Sequence, residues 1–317
     1  MKEPWFWQSD SLTARVIKNA MAPLSALYLA GYRARVTFSQ PTTSAIPIIC
    51  IGNATLGGTG KTPFALALHQ GLSAAGVNAH FITRGYGGTA KGPLQVDLNT
   101  HQYSDVGDEA LLLASQAVTW VGADRNKSAS CAAKAGAKLA IMDDGFQNPT
   151  IAKSYSILLD DGTSQHGRLF PAGRLREPFA WAKERADRLV RIGDSATLDG
   201  SARLRTSVEG NNESVVAFCG IAGPERFIAT LRKAGFNVVD SVFFPDHHGF
   251  SNQDLETLRA RAATHKATLI TTQKDFVRIP DDFQPEIKTL PVTMEIDDID
   301  AIVADIMALV EDRPDHG

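Results

Sequence analysis

Residues 48–68 read IICIGNATLGGTGKTPFALAL, and this stretch decides the fold. An apolar run leads through a glycine-rich turn into a segment whose apolar residues recur at helical spacing. A buried strand, a glycine turn and a helix opening at Lys61, Thr62 and Pro63 form the setting of a phosphate-binding loop. Backbone N–H groups of such a loop approach phosphate oxygens, the lysine reaches the terminal phosphates and the hydroxyl binds Mg²⁺. The stretch therefore predicts a nucleotide site.

The match to the consensus sequence of phosphate-binding loops is incomplete. The pattern G-x-x-x-x-G-K-[ST] requires glycine where Thr55 stands. The alternative is a glycine-rich loop that binds nothing, but it does not explain Gly-Lys-Thr at the start of a helix. The predicted nucleotide-binding residues are Thr55, Leu56, Gly57, Gly58, Thr59, Gly60, Lys61 and Thr62.

Beyond this loop the chain alternates between strand-like and helix-like segments. Buried strands are predicted for IPIICIG, VNAHFIT, VTWVGA, AKLAIMD, YSILLD and DRLVRIG. Strands that alternate with helices favour an α/β fold with a mostly parallel sheet. A polar stretch at 197–214 precedes a second alternation that starts with SVVAFCGIA. We therefore expect an N-terminal amphipathic helix at 1–35, a P-loop domain at 36–210 and a smaller α/β domain at 211–317.

The composition excludes several classes of function. The 317 residues carry a net charge of −3, so no global positive charge favours nucleic acid, and we expect no nucleic-acid partner. The three cysteines, Cys50, Cys131 and Cys219, are far apart and have no zinc-ligand spacing. The sequence therefore predicts neither a disulfide framework nor a zinc site.

The N-terminal segment has an amphipathic pattern but is too short to cross a bilayer. If residues 11–31 are helical, their apolar side chains form one stripe flanked by basic residues. Two interpretations remain open on the residues alone, a membrane-surface anchor and a helix packed on the protein's own core. The stripe is Leu12, Val16, Ala20, Leu24 and Leu27, and the basic residues are Arg15, Lys18, Arg33 and Arg35.

Two adjacent carboxylates follow a predicted strand at 139–143. Asp143 and Asp144 precede Gly145, which places both near the carboxyl edge of the sheet, where open α/β sheets bind ligands. With Thr62 they are the predicted Mg²⁺ ligands, since a P-loop protein needs an acidic residue at a neighbouring strand end. An ordinary turn is the alternative.

Eight motifs occur in the order typical of one family. They are IGNATLGGTGKTP, TRGYGG, VGDE, DDGFQ, GRLFPAGRLREP, AFCGIAGPERF, FPDHH and TTQKD. The chain thereby resembles the tetraacyldisaccharide 4'-kinases of lipid A biosynthesis. The resemblance implies a P-loop NTPase-like fold, with ATP and Mg²⁺, and transfer of the γ-phosphate to the 4'-hydroxyl of a tetraacyldisaccharide 1-phosphate. It also implies work at the cytoplasmic face of the bacterial inner membrane, with the N-terminal helix on the membrane surface.

The resemblance also implies roles for individual residues. Asp108 in VGDE is the expected catalytic base, assisted by His247 in FPDHH, with His248 as the less favoured partner. Without the resemblance, Asp108 would be read as a helix cap and both histidines as solvated loop residues.

Other polar residues are candidates for phosphate or substrate contacts. Lys61 and Arg84 are expected at the transferred phosphate, and Arg125 and Gln147 at the substrate. Exposed arginines and a turn glutamine are the simpler alternatives. The loop motif GRLREP, at 173–178, is interpreted as scaffold or head-group contact. The competing function is a P-loop ATPase that energises a membrane-associated partner.

Overall fold

The computed structural model describes residues 4–165, 167–193 and 201–311 and shows an α/β protein. The strands are β1 (Ile48–Asn53), β2 (Ala79–Thr83), β3 (Leu94–Gln95), β4 (Thr119–Val121), β5 (Leu139–Asp143), β6 (Tyr155–Asp160), β7 (Arg188–Ile192), β8 (Ser201–Arg205), β9 (Ser214–Cys219), β10 (Asn237–Phe243), β11 (Thr268–Thr272), β12 (Ile287–Leu290) and β13 (Thr293–Ile296). The helices are α1 (Trp5–Gln8), α2 (Leu12–Ala20), α3 (Ala22–Phe38), α4 (Lys61–Ala74), α5 (Tyr103–Val106), α6 (Asp108–Ala114), α7 (Arg125–Lys134), α8 (Phe179–Glu184), α9 (Pro224–Lys233), α10 (Asn252–His265), α11 (Gln273–Phe276) and α12 (Ile299–Glu311). The predicted fold class is confirmed.

The larger sheet is centred on the strand that leads into the phosphate loop. Its order is β13-β8-β7-β6-β1-β5-β2-β4-β3, and only the pairs at its two edges are antiparallel. Every residue of β1 is buried, which explains why its sequence is a nearly continuous apolar run. Because β1 and its neighbours β5 and β6 are parallel, their carboxyl ends meet at one edge of the sheet. The glycine loop and Asp143 lie at that edge.

The smaller sheet contains four parallel strands in the order β10-β9-β11-β12. Its core is formed by residues such as Val216, Phe218 and Leu269 on one face and Val215, Leu231 and Ile270 on the other. β9, the first strand of this sheet, begins at the end of the polar stretch at 197–214, and residues 201–205 of that stretch form β8 of the larger sheet.

The chain then returns to the larger sheet. β13 pairs with β8, and Ile302 and Ile306 of α12 join the core that Leu68 and Leu72 of α4 also line. Residues 293–311 thus pack with the P-loop sheet, although the sequence assigns them to the smaller domain with the rest of 211–317. The apolar residues of α12 recur at helical spacing, but such periodicity does not indicate which sheet a helix covers. Residues 312–317 lie outside the described residues.

The N-terminal segment forms two main helices rather than the single one expected over 11–31. α2 and α3 meet at Met21, and Pro23 lies in the first turn of α3, where a proline is tolerated. The predicted stripe faces solvent, with Leu12 79% and Leu27 70% exposed. Residues 1–3 lie outside the described residues. Among the helices that the structure describes, none combines the length and apolar character that a membrane span requires.

Candidate active site

The phosphate loop connects β1 to α4 through residues 54–60. Gly60 has a φ of +84°, and a methyl group built on it would lie 3.0 Å from Cε of Met294. A side chain is therefore disfavoured here both by the backbone and by the space available. The ammonium of Lys61 lies 3.3 Å from Oδ1 of Asn53 and 3.7 Å from Oδ1 of Asp144. Lys61 is thus held at the strand ends.

The loop is braced by the segment that contains GRLREP. The backbone N–H of Leu56 donates to the carbonyl of Arg174 at 2.7 Å, and the N–H of Arg176 donates to the carbonyl of Ala54 at 2.8 Å. The Arg174 guanidinium also donates to the carbonyl of Leu56. This agrees with the scaffold interpretation of the motif. The braced conformation leaves Thr59 buried, and its hydroxyl has no hydrogen-bond partner among the described residues.

The two adjacent carboxylates occupy different environments. Asp143 is 3% exposed and accepts from the hydroxyl of Thr62 at 2.9 Å through Oδ2. Burial raises the pKa of Asp143 to about 7, with a further rise from Glu109 that outweighs the effect of Lys61. Burial alone would raise the pKa of Asp144. The positive charges of Lys61 and Arg176 outweigh the effect of burial, and the pKa of Asp144 lies below its ordinary value.

Asp144 is fixed by a two-pronged ion pair. Nη1 of Arg176 donates to Oδ1 at 2.8 Å and Nη2 to Oδ2 at 3.2 Å. Such paired contacts hold a carboxylate in one orientation. Arg176 is a functional candidate whose contact with Asp144 is not predicted by the sequence, because an arginine in a Pro/Gly-rich loop gives no local indication of its partner.

The residues at this edge fit a Mg²⁺ ion. Oδ1 of Asp143 is buried and has no hydrogen-bond partner among the described residues, and the Thr62 hydroxyl lies beside the same carboxylate. No group of three or more His, Cys, Asp or Glu residues within the described ranges forms a metal cage. Mg²⁺ typically binds one or two carboxylates and takes its other oxygens from phosphates and water. The donor set is of that kind.

Asp108 and His247 meet across the boundary between the two sheets. Asp108 begins α6 and is 3% exposed, and Nδ1 of His247 lies 2.9 Å from its Oδ2 and 3.1 Å from its Oδ1. His247 has a φ of +59°, and its backbone N–H donates to the carbonyl of Gly220. The other histidine, His248, turns away and contacts Asp254 at 3.0 Å. The structure thus brings Asp108 together with His247 and not with His248.

The charge around Asp108 favours its ionised form. Burial raises its pKa, but the hydrogen bond from His247 and the positive charges of Lys274 and Arg278 outweigh that effect. The net result is a pKa below the ordinary value. Lys274 also pairs with Glu109 at 3.0 Å. Lys274 belongs to the TTQKD motif, whereas Arg278 lies outside all eight motifs. Neither residue stands at a spacing from Asp108 that would predict their contact.

The remaining candidates lie in less uniform settings. Arg84 follows β2 and is exposed, whereas Arg125, at the start of α7, is buried and donates through Nη1 to the carbonyl of Gly122. Burial and the neighbouring Arg84 lower the pKa of Arg125 to about 10. The amide nitrogen of Gln147 donates to the carbonyl of Asn53 at 2.8 Å, and its oxygen accepts from Arg176. Gln147 is therefore held by protein groups on both sides.

Comparison with known proteins identifies the family. The family model described as "Tetraacyldisaccharide-1-P 4'-kinase" matches residues 17–311. The chain belongs to the tetraacyldisaccharide 4'-kinase family. The similarity extends over nearly the full length of individual members, so it does not depend on the P-loop alone.

Two curated members show the extent of the similarity. The tetraacyldisaccharide 4'-kinase of Paramagnetospirillum magneticum is 44% identical over 313 residues, which covers 94% of this chain and 95% of that protein. The tetraacyldisaccharide 4'-kinase of Parvibaculum lavamentivorans is 45% identical over 301 residues, covering 88% and 87%. The chain is therefore a kinase of this family, and the predicted 4'-kinase function is confirmed. The ATPase alternative is not favoured.

A solved structure shares the fold. LpxK from Aquifex aeolicus, crystallised in complex with ATP, superposes with a TM-score of 0.76 at 23% identity. The superposition covers 93% of this chain and 99% of that one. Both sheets thus belong to one architecture that the family shares.

Proposed function

We propose that the chain uses ATP and Mg²⁺ to phosphorylate the 4'-hydroxyl of a tetraacyldisaccharide 1-phosphate at the cytoplasmic surface of the bacterial inner membrane. The observation that carries this proposal is the pair formed by Asp108 and His247, 2.9 Å apart, next to the phosphate loop. Glu109, the residue after Asp108, lies close enough to Asp143 to raise its pKa. The base and the metal pocket are therefore neighbours.

A sugar hydroxyl is a weak nucleophile, so phosphoryl transfer benefits from a group that takes its proton. Asp108 suits this role because its lowered pKa keeps it ionised near neutral pH. With Nδ1 protonated, His247 donates to Asp108 and orients the carboxylate. The hydroxyl proton passes to Asp108 as the oxygen bonds to phosphorus and the bond to the ADP oxygen breaks.

The phosphate loop supplies the other half of the site. Lys61 neutralises charge on the terminal phosphates. Arg84 directly follows β2, and Arg125 begins α7 after β4, so both lie beyond strands whose carboxyl ends meet at the same edge of the sheet. Asp143 and Thr62 would hold Mg²⁺, and Asp144, paired with Arg176, would sit beside it. Mg²⁺, when bound, offsets negative charge on the β- and γ-phosphate oxygens.

The N-terminal helices are the proposed membrane contact. α3 is fixed to the protein by its polar face, since the Tyr28 hydroxyl donates to the carbonyl of Arg176 and Ser25 donates to the carbonyl of Leu169. Outside these contacts, α2 exposes Leu12 and Val16, and α3 exposes Leu27. Burying each such side chain in lipid contributes about 1.5 to 3 kcal/mol, enough together for peripheral attachment.

The test is an assay with radiolabelled ATP, with and without the disaccharide lipid. A kinase transfers label to the lipid, whereas an energising ATPase releases only free phosphate. Lys61→Met should abolish lipid labelling, because it removes the charge that faces the phosphates while leaving a side chain of similar length. Full lipid labelling by Lys61→Met would contradict the proposal.

A further inference from the structure

Lys274 lies between the two segments that carry Asp108 and His247. It belongs to α11, which follows β11 of the smaller sheet, and its ammonium lies 3.0 Å from Oε1 of Glu109 on α6. The Lys274 side chain is only 22% exposed, so most of it is enclosed between the two sheets and the helices that cover them. A lysine enclosed in this way requires partners of opposite charge.

Three carboxylates supply that opposite charge. Burial alone would lower the pKa of Lys274. The negative charges of Glu109, Asp108 and Asp246 outweigh burial, and the pKa of Lys274 lies above its ordinary value. Lys274 is therefore charged near neutral pH. Two of the three carboxylates are sequence neighbours of the proposed catalytic pair, since Glu109 follows Asp108 and Asp246 precedes His247.

Asp246 is the carboxylate on the histidine side. Its Oδ2 lies 3.7 Å from Nε2 of His247, whereas Nδ1 of the same ring faces Asp108. Its Oδ1 is buried and has no hydrogen-bond partner among the described residues. A buried carboxylate oxygen without a donor is costly unless positive charge is near, and Lys274 provides such charge. Lys274 therefore stabilises the residue that precedes His247.

The backbone that carries Lys274 is held on several sides. The hydroxyl of Thr272 accepts from the N–H of Asp275 at 3.0 Å and thereby caps α11. The Asp275 carboxylate is fully buried and accepts from the first backbone N–H after β9. Val277, which follows α11, packs against the apolar cluster to which Ala110 of α6 belongs. The lysine therefore projects from a fixed position towards α6.

We propose that Lys274 is a positioning residue that holds Asp108 and His247 together for proton transfer. The inference rests on the proposed function, because it concerns the base of the same reaction. Lys274 acts through the neighbours of the two residues, with Glu109 on one side and Asp246 on the other. An error of about 1 Å in catalytic geometry can lower a rate about a hundredfold, so a contact of this kind affects turnover.

Lys274→Met removes the charge and keeps a side chain of similar length. We expect kcat for lipid phosphorylation to fall between about tenfold and a hundredfold, because the base is misplaced. The KM for ATP should change by less than about twofold, since the phosphate loop is intact. Lys274→Arg keeps the charge and can still pair with Glu109, so its kcat should lie between those of Lys274→Met and the wild type.

Lys288→Met is the matched control. Lys288 also belongs to the smaller sheet, on β12, and its ammonium lies 2.8 Å from Oε1 of Glu213. Its side chain is 55% exposed, so this variant removes a lysine–glutamate pair that is open to water. The kcat of Lys288→Met should equal that of the wild type. Melting temperatures of both methionine variants measure how much stability each one loses.

The deciding measurement is kcat of the double variant Lys274→Met, Asp108→Asn. Asp108→Asn has no base to position, so adding Lys274→Met should lower its kcat by less than about twofold. A purely structural role would lower kcat by the same factor in both backgrounds, because a smaller folded fraction scales every rate. If Lys274→Met does not fold, Lys274→Gln, which can still donate to Glu109, takes its place in both backgrounds.

Three results would overturn the inference. Equal kcat for Lys274→Met and Lys288→Met would show that Lys274 does not assist turnover. Equal factors with and without Asp108→Asn would make its role structural. A loss that appears in the KM for ATP instead of kcat would make Lys274 a nucleotide contact. Failure of the proposed function looks different, because the wild type would then label no lipid.

Discussion

The guanidinium of Arg278 faces the carboxylate of Asp108, with Nε 3.5 Å from Oδ2. Arg278 is 2% exposed and is held from the other side, since its Nη1 donates to the carbonyl of His248 and its Nη2 to the carbonyl of Gly220 and to Asp275. The carbonyl of Gly220 also accepts from the backbone N–H of His247. One arginine therefore connects the proposed base to the loop that carries its partner.

The first prediction follows from the charge of Arg278. Arg278→Met should raise the pKa of Asp108, because one of the cations that lower it is removed. The titratable groups that remain next to Asp108 are His247, Lys274 and, on its own helix, Glu109. A base works above its pKa and fails as the pH falls through it, so the acid limb of kcat against pH should move to higher pH. We expect kcat to fall at acid pH and to change little near neutral pH, where Asp108 stays ionised.

The control for this prediction must separate charge from stability. Arg278→Met also leaves Asp275 buried without its partner, which costs about 3 to 5 kcal/mol of folding free energy. The position of the acid limb is the deciding measurement, since a smaller folded fraction lowers the rate without moving it. Arg278→Lys should restore the limb in part, and Arg261→Met, in an exposed ion pair, should leave it unchanged. If the acid limb of kcat against pH does not move in Arg278→Met, Arg278 does not control the pKa of the catalytic base.

The second prediction concerns the base itself. Asp108→Asn should lower kcat at least about a hundredfold with little change in the affinity for ATP, because proton transfer is lost while the phosphate loop is intact. His247→Ala should act through the same step, so the double variant should be little worse than Asp108→Asn alone. His248→Ala is the control, since His248 contacts Asp254 instead. Additive losses in the double variant would show that the two residues work independently.

The features that sequence predicted are those fixed by neighbours along the chain. The strand, glycine loop and helix around Lys61 form a local unit. The apolar composition of the segments that form β1, β2 and β5 predicts that these strands are buried, and all their residues are buried. The pairing of Asp108 with His247, 139 residues apart, rested on resemblance, because no local rule links the two. Arg278 and the return of β13 to the larger sheet were missed for the same reason.

The third prediction tests the metal pocket. Thr62→Ala removes the hydroxyl beside Asp143, so the Mg²⁺ concentration needed for half-maximal rate should rise, whereas Thr62→Ser should behave like the wild type. The measurement is the rate at saturating ATP over a series of free Mg²⁺ concentrations. A fall in maximal rate without any change in the Mg²⁺ dependence would place the hydroxyl outside the metal site.

The last prediction separates membrane attachment from catalysis. Leu12 and Val16 belong to the exposed stripe on α2 and contact none of the active-site residues, so the double variant Leu12→Ser, Val16→Ser should affect only attachment. If both side chains enter the lipid, vesicle binding should weaken at least about a hundredfold, from about 1.5 to 3 kcal/mol for each. The melting temperature should stay the same, because neither side chain is part of the core.

Cosedimentation with anionic vesicles measures the attachment, and Thr13→Ser, on the same helix, is the control. With the lipid dispersed in detergent micelles the double variant should keep its rate, since the catalytic residues are intact. With the lipid in vesicles its rate should fall together with binding. Equal sedimentation of the variant and the wild type would mean that α2 does not enter the bilayer, and the anchoring would then have to come from α3 and its basic residues.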